Sequence, residues 1–301
     1  MLSRKYHYLI ALARERHFGR AAAACHISPS TLSAAIRDLE SDLGVTIVER
    51  GQQFSGLTVE GQSVLEYAQR MAASEEGLRQ ELSKLKEGLT GRLRLGVIPT
   101  ALTAIATLTS AYARCHPMVN IEVLSLSTDE ILARLHAFEL DAGVVYQESG
   151  HTPELDSIPL WNENHVFVTS EHHPLAQRSE ITWKEVAEVP LALLTPDMHN
   201  RKITDRVFQE QGCQPLSTLE TNSIVSILAH VRTGLWSGIL PQGVLEQIGL
   251  PEGLRRIELI APAVGWATCL VVPHQTADTP RTPITAALLV AAQILANEYS
   301  N

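Results

Sequence analysis

The strongest constraint on the fold is a run of three short helical segments within the first 44 residues. Apolar side chains recur at the i, i+3, i+4 and i+7 spacing of an amphipathic helix over residues 3–16. A second helix, rich in alanine, is predicted to begin with residues 19–24 and to end near His26 and Ile27. Ser28 and Pro29 have the residue types of an N-cap and a first helical position, and Gly44 is typical of a C-terminal cap. The pattern predicts three helices around one small core.

The third helix of this run has two different faces. Its apolar face holds four residues expected in the core: Leu32, Ile36, Leu39 and Leu43. Its opposite face holds small, hydroxyl or cationic residues: Ser30, Thr31, Ser33, Ala34 and Arg37. A helix of this kind can read base edges in the major groove of DNA, with its N-terminus near phosphates. An ordinary three-helix core with a solvated face has the same spacing, so the pattern alone leaves both interpretations open.

A proline-free stretch over residues 59–87 predicts one long helix. Apolar residues recur every seven positions along it, at Val64, Met71, Leu78 and Leu85, which is typical of a helix that pairs with another helix. Glu75 interrupts the companion seam, so a regular zipper is not expected. A surface helix packed on its own domain is the alternative. We interpret the seam as self-pairing, because no neighbouring segment looks like a domain to pack against.

The rest of the chain alternates strand-like and helical segments. The order is βαβαβ over residues 92–146, with the first helix predicted over residues 100–114, and it indicates a parallel sheet covered by helices. A second run follows over residues 166–272, and a last helix is predicted over residues 283–297. Residues 45–49 are strand-like. Two α/β lobes are the simplest partition.

Charge and cysteine usage bear on partners and location. Residues 1–90 hold 11 basic and 11 acidic side chains, so the formal charge of -9 belongs to residues 91–301. A neutral N-terminal segment can still meet phosphates if the acidic part is held away. The chain has no long apolar stretch, no secretory signal and no CxxC pair. We therefore expect a cytoplasmic protein without a membrane span or disulfide framework. The absence of nucleotide-binding and metal-ligand motifs predicts no cofactor and no metal.

Polar residues recur where predicted strands meet helix N-termini. Thr100 follows the first strand, Ser127 and Thr128 follow the second, and Asn222 precedes a later helix. Free amides at helix N-termini suit a carboxylate or another small anion, and open α/β sheets bind ligands at the carboxyl ends of their strands. The same residue types are common N-caps that need no ligand. Both interpretations stay open on the residues alone.

The order of motifs between His17 and Gly61 is more specific. An alanine-rich second helix precedes a Ser-x-x-x-Leu-Ser-x-x-Ile-x-x-Leu-Glu run, followed by Leu43-Gly44, Glu49-Arg50 and Leu57-Thr58. Together they resemble the winged helix-turn-helix of LysR-type transcriptional regulators. The remaining chain is similar to the linker helix and the two-lobed effector domain of that family.

The resemblance implies an N-terminal all-α winged helix-turn-helix, a long linker helix and an α/β domain like type 2 periplasmic binding proteins. The corresponding ranges are 1–58 for DNA binding, 59–90 for the linker and dimerisation helix, and 91–301 for effector binding. Within the last range, lobe I comprises 91–161 and 269–301, and lobe II comprises 162–268, with chain crossings near 161 and 268. The implied partners are double-stranded operator DNA, a small-molecule effector and a second copy of the chain through 59–90. The family usually assembles a dimer of dimers, and RNA polymerase is a candidate further partner.

The resemblance also implies site residues. The DNA-binding set is Ser28, Ser30, Thr31, Ser33, Arg37, Arg50 and Gln52, the last two in the wing. The effector-binding set is Pro99, Thr100, Ala101, Ser127, Thr128 and Asn222, with Thr195 and His199 on the facing lobe. Ala34, Asp38 and Gln52 depart from the longer polar or basic residues that are common in the family at these positions.

We therefore predict a sequence-specific DNA-binding transcriptional regulator, not an enzyme, that responds to a small anionic metabolite bound between two lobes. The alternative is a ligand receptor or an enzyme on a two-lobed binding-protein scaffold. In that case residues 1–60 would be a protein-interaction module.

Overall fold

A computed structural model of the chain describes residues 3–49, 54–150, 152–276 and 280–299. The chain divides into two compact units. The first comprises Met1–Leu89 with Gln275–Pro283, and the second comprises Thr90–His274 with Ile284–Asn301. In the described residues, no helix is long and apolar enough to cross a membrane.

The first unit is helical over most of its described length. Its helices are α1 (Arg4–Glu15), α2 (Phe18–Ala24), α3 (Pro29–Leu43) and α4 (Val59–Lys86). The Ser28 hydroxyl accepts the Thr31 N–H at 3.1 Å at the start of α3, and Gly44 ends that helix with a φ of 70°. Both caps are as the sequence predicts. A positive φ is readily adopted by glycine, which explains the sharp end of α3.

The core of this unit lies where α1, α2 and α3 meet. Its buried side chains include Leu9, Leu12, Leu32, Ile36 and Leu39. The expectation that Leu43 also belongs to this core is wrong, because 41% of its surface is exposed. Leu43 lies in the last turn of α3, beyond the end of the core.

The segment after α3 is held by a side chain and not by a full strand pair. Between the described residues 45–49 and 54–58, the structure contains one antiparallel bridge, Val48 to Leu57, instead of the expected strand. The Glu40 carboxylate accepts the N–H groups of Ile47 at 2.7 Å and of Val48 at 3.1 Å. At Gly61, a Cβ would lie 2.1 Å from the Ile47 carbonyl oxygen, so α4 can start this close to the segment only with glycine there.

We expect Glu40→Ala to lower the free energy of unfolding of the first unit by about 1.5–3 kcal/mol, because two backbone amides lose an ionised acceptor. Denaturant unfolding of the full chain measures this change. Asp38→Ala is the matched control: it removes a carboxylate from the exposed side of the same helix, and its effect should stay within about 0.5 kcal/mol. Equal effects of the two substitutions would contradict the assigned role of Glu40.

The second unit alternates strands and helices in two lobes. Its strands are β1 (Gly91–Val97), β2 (Val119–Ser125), β3 (Ala142–Tyr146), β4 (Leu155–Ser170), β5 (Glu180–Thr182), β6 (Leu191–Leu194), β7 (Ser217–Thr221), β8 (Ser237–Pro241), β9 (Leu254–Ile260) and β10 (Gly265–Pro273). Its helices are α5 (Ile105–Cys115), α6 (Thr128–His136), α7 (Gln147–Gly150), α8 (Trp183–Val186), α9 (His199–Glu210), α10 (Ile224–Val231), α11 (Gln242–Ile248) and α12 (Pro283–Tyr299).

Each lobe has its own sheet region. In the first lobe, β1 pairs in parallel with β2 and β3, and β10 runs antiparallel beside β3. In the second lobe, β6 pairs in parallel with β7 and β8, and β5 pairs in parallel with β9. The two-lobed α/β architecture predicted from the sequence is confirmed.

One long strand connects the lobes. The first part of β4 pairs with β10 in the first lobe, and residues 165–170 pair with β8 and β9 in the second. The predicted strand at 166–169 is therefore only the end of a 16-residue strand. The helix expected over residues 100–114 begins at Ile105, because Pro99–Ala101 form a separate 3-10 turn after β1.

Candidate DNA-binding face and effector site

The first candidate site is the N-terminal half of α3. Ser28, Ser30 and Thr31 are exposed, and the Ser28 hydroxyl lies 2.8 Å from the hydroxyls of both Ser30 and Thr31. Three hydroxyls therefore surround the first turn of a helix, where the helix dipole is positive. Pro29 has no N–H and the Thr31 N–H is bonded to Ser28, so the Ser30 N–H is the backbone donor of this turn without an intrahelical partner. This arrangement suits a phosphate oxygen.

Arg37 extends this face along α3. Its guanidinium donates to the Ser33 hydroxyl at 3.3 Å and is exposed. Within the described part of the chain, Arg37 forms no ion pair, so its charge is available to DNA. The wing residues Arg50 and Gln52 lie outside the described residues.

The second candidate site lies at the carboxyl ends of strands in the second unit. Pro99, Thr100 and Ala101 are buried in the 3-10 turn after β1. Ser127 caps α6 and exchanges hydrogen bonds with Glu130, which is the ordinary capping role that the sequence left open. The Oγ1 atoms of Thr128 and Thr195 are buried and have no hydrogen-bond partner among the described residues.

The two remaining predicted residues lie on the second lobe. His199 begins α9, where its ring centroid is 5.5 Å from that of Tyr146 and its Nδ1 is 3.3 Å from the Ser149 hydroxyl. Burial lowers the pKa of His199 below its ordinary value. Asn222 follows β7 and is exposed. His199 therefore contacts the first lobe, whereas no contact brings Asn222 to it in the described structure.

A buried hydrogen-bond network joins the two lobes. The Tyr146 hydroxyl, at the end of β3, donates to Glu163 Oε2 at 2.7 Å and lies 3.0 Å from Thr100 Oγ1. Asn200 of α9 donates through Nδ2 to that same hydroxyl at 3.0 Å and lies 2.7 Å from His165 Nε2. Glu163 and His165 belong to the connecting strand β4. The network thus connects β3 of the first lobe and α9 of the second lobe with β4, the strand shared by both lobes.

Burial controls the charges in this network. Burial raises the pKa of Glu163 to about 7, although hydrogen bonds from Tyr146, Thr100 and Trp161 oppose the shift. Burial also lowers the pKa of His165 to about 3, so this imidazole is neutral at physiological pH. Its Nδ1 is buried without a hydrogen-bond partner in the described residues, and its ring packs against Trp266 at a centroid distance of 4.6 Å.

A cavity of about 520 Å³ adjoins the network. Thr100 and Glu163 line it, together with parts of β4, β10 and α11. Its volume is in the range of small-molecule sites. Of the predicted effector residues, Thr100 borders this cavity; Pro99, Ala101, Ser127, Thr128, Thr195, His199 and Asn222 are not among its described lining residues. The described lining carries carboxylates and no cation, which argues against the anionic ligand expected from the sequence.

Comparison with known families decides what kind of protein carries these two sites. Residues 3–62 match the family described as "Bacterial regulatory helix-turn-helix protein, lysR family", and residues 86–292 match "LysR substrate binding domain". The second match covers more than half of the chain. The chain belongs to the LysR family. This LysR-family protein is a DNA-binding transcriptional regulator with an effector-binding domain, as the sequence resemblance predicted.

Relatives cover nearly the whole LysR-family chain. A "Hydrogen peroxide-inducible genes activator" of Haemophilus influenzae is 27% identical over 277 residues, which is 89% of each chain. One of the same name from Dickeya chrysanthemi is 30% identical and covers 83% of this chain and 82% of its own. The structure of a full-length OxyR variant from Pseudomonas aeruginosa is 25% identical, with a TM-score of 0.74 over 97% of this chain and 95% of that one.

The sequence reasoning missed four residues of the network: Tyr146, Glu163, His165 and Asn200. The spacing of Glu163 and His165 could have indicated a shared site, because residues at every second position of a strand lie on the same face. Tyr146 ends an apolar strand and Asn200 follows His199, and neither position is unusual by itself.

Proposed function

We propose that this LysR-family regulator binds operator DNA with the exposed face of α3 and pairs with a second copy along α4. A small molecule in the cavity between the lobes would alter its action on transcription. We further propose that it works as a dimer of dimers, in the cytoplasm where bacterial DNA lies, and without catalysis. The observation that carries the proposal is the α3 face, where three hydroxyls surround the helix N-terminus and an exposed arginine lies two turns further along.

The chemistry of this face fits duplex DNA. Helix N-termini and hydroxyl side chains bind phosphate oxygens and so position a protein on the duplex. An arginine on the same face can contact the O6 and N7 atoms of guanine with two hydrogen bonds. Arg37 lies two turns beyond the capping hydroxyls, so one helix can supply both kinds of contact.

The pairing proposal rests on the apolar residues of α4. Met71, Leu78, Leu82 and Leu85 are exposed along this 28-residue helix, with 80% of Leu85 exposed. A row of exposed large apolar side chains at this spacing is typical of a helix that a partner covers. A second copy is the occupant that the family resemblance implies.

The effector proposal rests on the cavity and on unsatisfied polar atoms. Buried polar atoms without partners are uncommon and often bind a ligand or water. Glu163 lies at the cavity itself. Thr128 and Thr195 each contribute one such atom at a helix N-terminus or strand end, outside the described lining of the cavity. A ligand that contacts both lobes would stabilise one arrangement of the two lobes over another. This shift in populations is the physical basis for an effector response.

The names of the relatives raise hydrogen peroxide as a second candidate signal. A peroxide-sensing cysteine needs a thiolate, which a low pKa provides. Burial instead raises the pKa of Cys25, Cys213 and Cys269, the last to about 11. Cys115 is exposed at the C-terminal end of α5. These environments favour a bound small molecule over thiol oxidation as the signal.

We expect Arg37→Ala to weaken specific DNA binding about tenfold to hundredfold, because it removes one charged contact to the duplex. The measurement is a gel shift at fixed salt with a duplex selected by the full chain from a random-sequence pool. Arg37→Lys separates two roles: lysine should restore affinity if the contact is to phosphate, but not if it is bidentate to guanine.

Arg232→Ala is the control for this test, since it removes an exposed arginine from the second unit. Its affinity should equal that of the unchanged chain. Failure to enrich any common sequence from the pool, or full affinity of Arg37→Ala, would reject the proposed DNA-binding face.

A further inference from the structure

The charges that line the cavity indicate the chemistry of its ligand. Its ionisable lining residues are both carboxylates, with Glu163 buried and Glu246 exposed on α11. The other polar side chains of the lining are amides, hydroxyls and one indole: Thr100, Gln147, Trp161, Asn162, Asn164, Gln242, Gln247 and Thr268. The described lining contains no lysine, arginine or histidine.

Glu163 is unusual because it is a buried carboxyl group that lines a cavity without an ion-pair partner among the described residues. It is 5% exposed, it accepts a hydrogen bond from Tyr146, and it forms no ion pair among the described residues. A buried carboxylate normally has a cationic partner, because an isolated charge is costly in a low-dielectric interior. Without a cation among the described residues around it, Glu163 must bind a proton or meet a positive charge that comes from outside.

We propose that the cavity binds a small molecule that carries a protonated amine or guanidinium group, which pairs with Glu163. The amides around the cavity would bind the remaining polar atoms of this ligand. The inference rests on the proposed effector site and specifies the class of molecule that occupies it.

The helix dipole does not reverse this preference. Three helices begin at the cavity, since Ala104 just before α5, Gln147 of α7 and Gln242 of α11 border it. A helix N-terminus carries at most about half a positive charge, and α7 and α11 have only four and seven residues to contribute to it. The ionised Glu163 carries a full negative charge and is buried, and Glu246 adds another at the surface. The two full negative charges therefore outweigh the partial charges of these helix ends, which favours a cation over an anion.

The pairing gives the binding a distinctive pH dependence. The titratable groups around Glu163 are Tyr146, which is hydrogen-bonded to it, and His165, which is two residues further along β4. His199 packs on Tyr146, and Glu246 lines the same cavity. Burial raises the pKa of Tyr146 far above its ordinary value and lowers the pKa values of both histidines, so neither the phenol nor the imidazoles become charged between pH 7 and pH 8. Glu163 ionises near pH 7. Amine affinity should therefore fall by about tenfold per pH unit below pH 7.

The experiment compares ligands of one carbon skeleton with different charge. The Tm of the full chain is measured with a four-carbon diamine, with the corresponding diol and with succinate, the corresponding dicarboxylate. The measurement is repeated with agmatine and with the six-carbon diamine, diol and dicarboxylate. At a fixed concentration of ten times the Kd measured at pH 8, an amine or guanidine should raise Tm by about 3–6 °C at pH 8 and by less at pH 6. The diols and dicarboxylates should leave Tm unchanged.

Two variants make the test specific. Glu163→Gln keeps the shape of the side chain but removes its charge, so it should abolish the shift and its pH dependence. Glu180→Gln, at an exposed position of β5, should keep both. A shift by succinate that survives in Glu163→Gln, or the lack of any shift by the amines and agmatine, would overturn the inference. Neither of these two results would affect the selection of a DNA sequence from the random pool, so the DNA-binding proposal is tested separately. If that selection failed while amines still raised Tm, only the regulator proposal would be rejected.

Discussion

Replacement of both Leu78 and Leu85 by aspartate is expected to convert the protein from a dimer to a monomer. A symmetric helix pair would bury four of these leucines, each contributing about 1.5–3 kcal/mol. Their loss amounts to about 6–12 kcal/mol, so the dimer dissociation constant should rise by at least about 10,000-fold. Operator affinity should fall by at least about a hundredfold, because the second α3 no longer binds as part of the same molecule.

Sedimentation analysis and the gel shift measure these two effects. Lys84→Asp is the control, because it changes the net charge by the same amount at an exposed polar position of α4. This variant should remain dimeric. If the double variant stayed dimeric and folded, α4 would not be the pairing helix. A circular dichroism spectrum unlike that of the unchanged chain would reject the assumption that these leucines are dispensable for the fold.

Glu163→Gln should stabilise the second unit at pH 8 by about 3 kcal/mol and have little effect near pH 4.5. The pKa of Glu163 rises from 4.5 to about 7 on folding, and each unit corresponds to about 1.36 kcal/mol. A raised carboxyl pKa means that the folded state holds its proton more tightly. The stability from this group is complete below pH 4.5 and is lost as the pH rises through about 7. Glutamine does not ionise, so the variant keeps this stability at pH 8.

Denaturant unfolding of the full chain at pH 5 and pH 8 measures this difference. His165 has the opposite dependence, since its lowered pKa costs stability as the pH falls from 6.5 towards 3. Because His165 is present in both proteins, its contribution largely cancels in the comparison. Glu180→Gln provides the exposed control and should show no such gain. A Glu163→Gln protein that is less stable than the unchanged chain at pH 8 would disprove the charge assignment.

The two proposed roles of Glu163 have one cause. A buried carboxylate with no ion-pair partner among the described residues reduces stability in the free protein at neutral pH, and a cationic ligand recovers that loss when it binds. Because Tyr146 and Asn200 connect Glu163 to both lobes, ionisation and ligand binding act where the lobes meet. This is a direct route from occupancy of the cavity to a change in the effector domain.

Local patterns were enough to predict much of the fold. The Ser28 cap, the Gly44 cap and the extent of α4 follow from residue types within a few positions of each helix end. The alternation of strands and helices predicted the two α/β lobes. The sequence did not predict that Leu43 is exposed or that Pro99–Ala101 form a separate 3-10 turn. Helical periodicity does not fix where the core ends or at which residue an α-helix begins.

The sequence by itself determined the helix-turn-helix, the long α4 and the family, because these depend on spacing along the chain. Only the tertiary structure decided which residues meet at the proposed effector site. Tyr146 is 46 positions from Thr100 and 54 from Asn200, and their hydroxyl and amide groups meet only because β3 and α9 converge on the connecting strand. The charge of the cavity follows from that convergence, since burial and the lack of a cation in the described lining are properties of the folded chain.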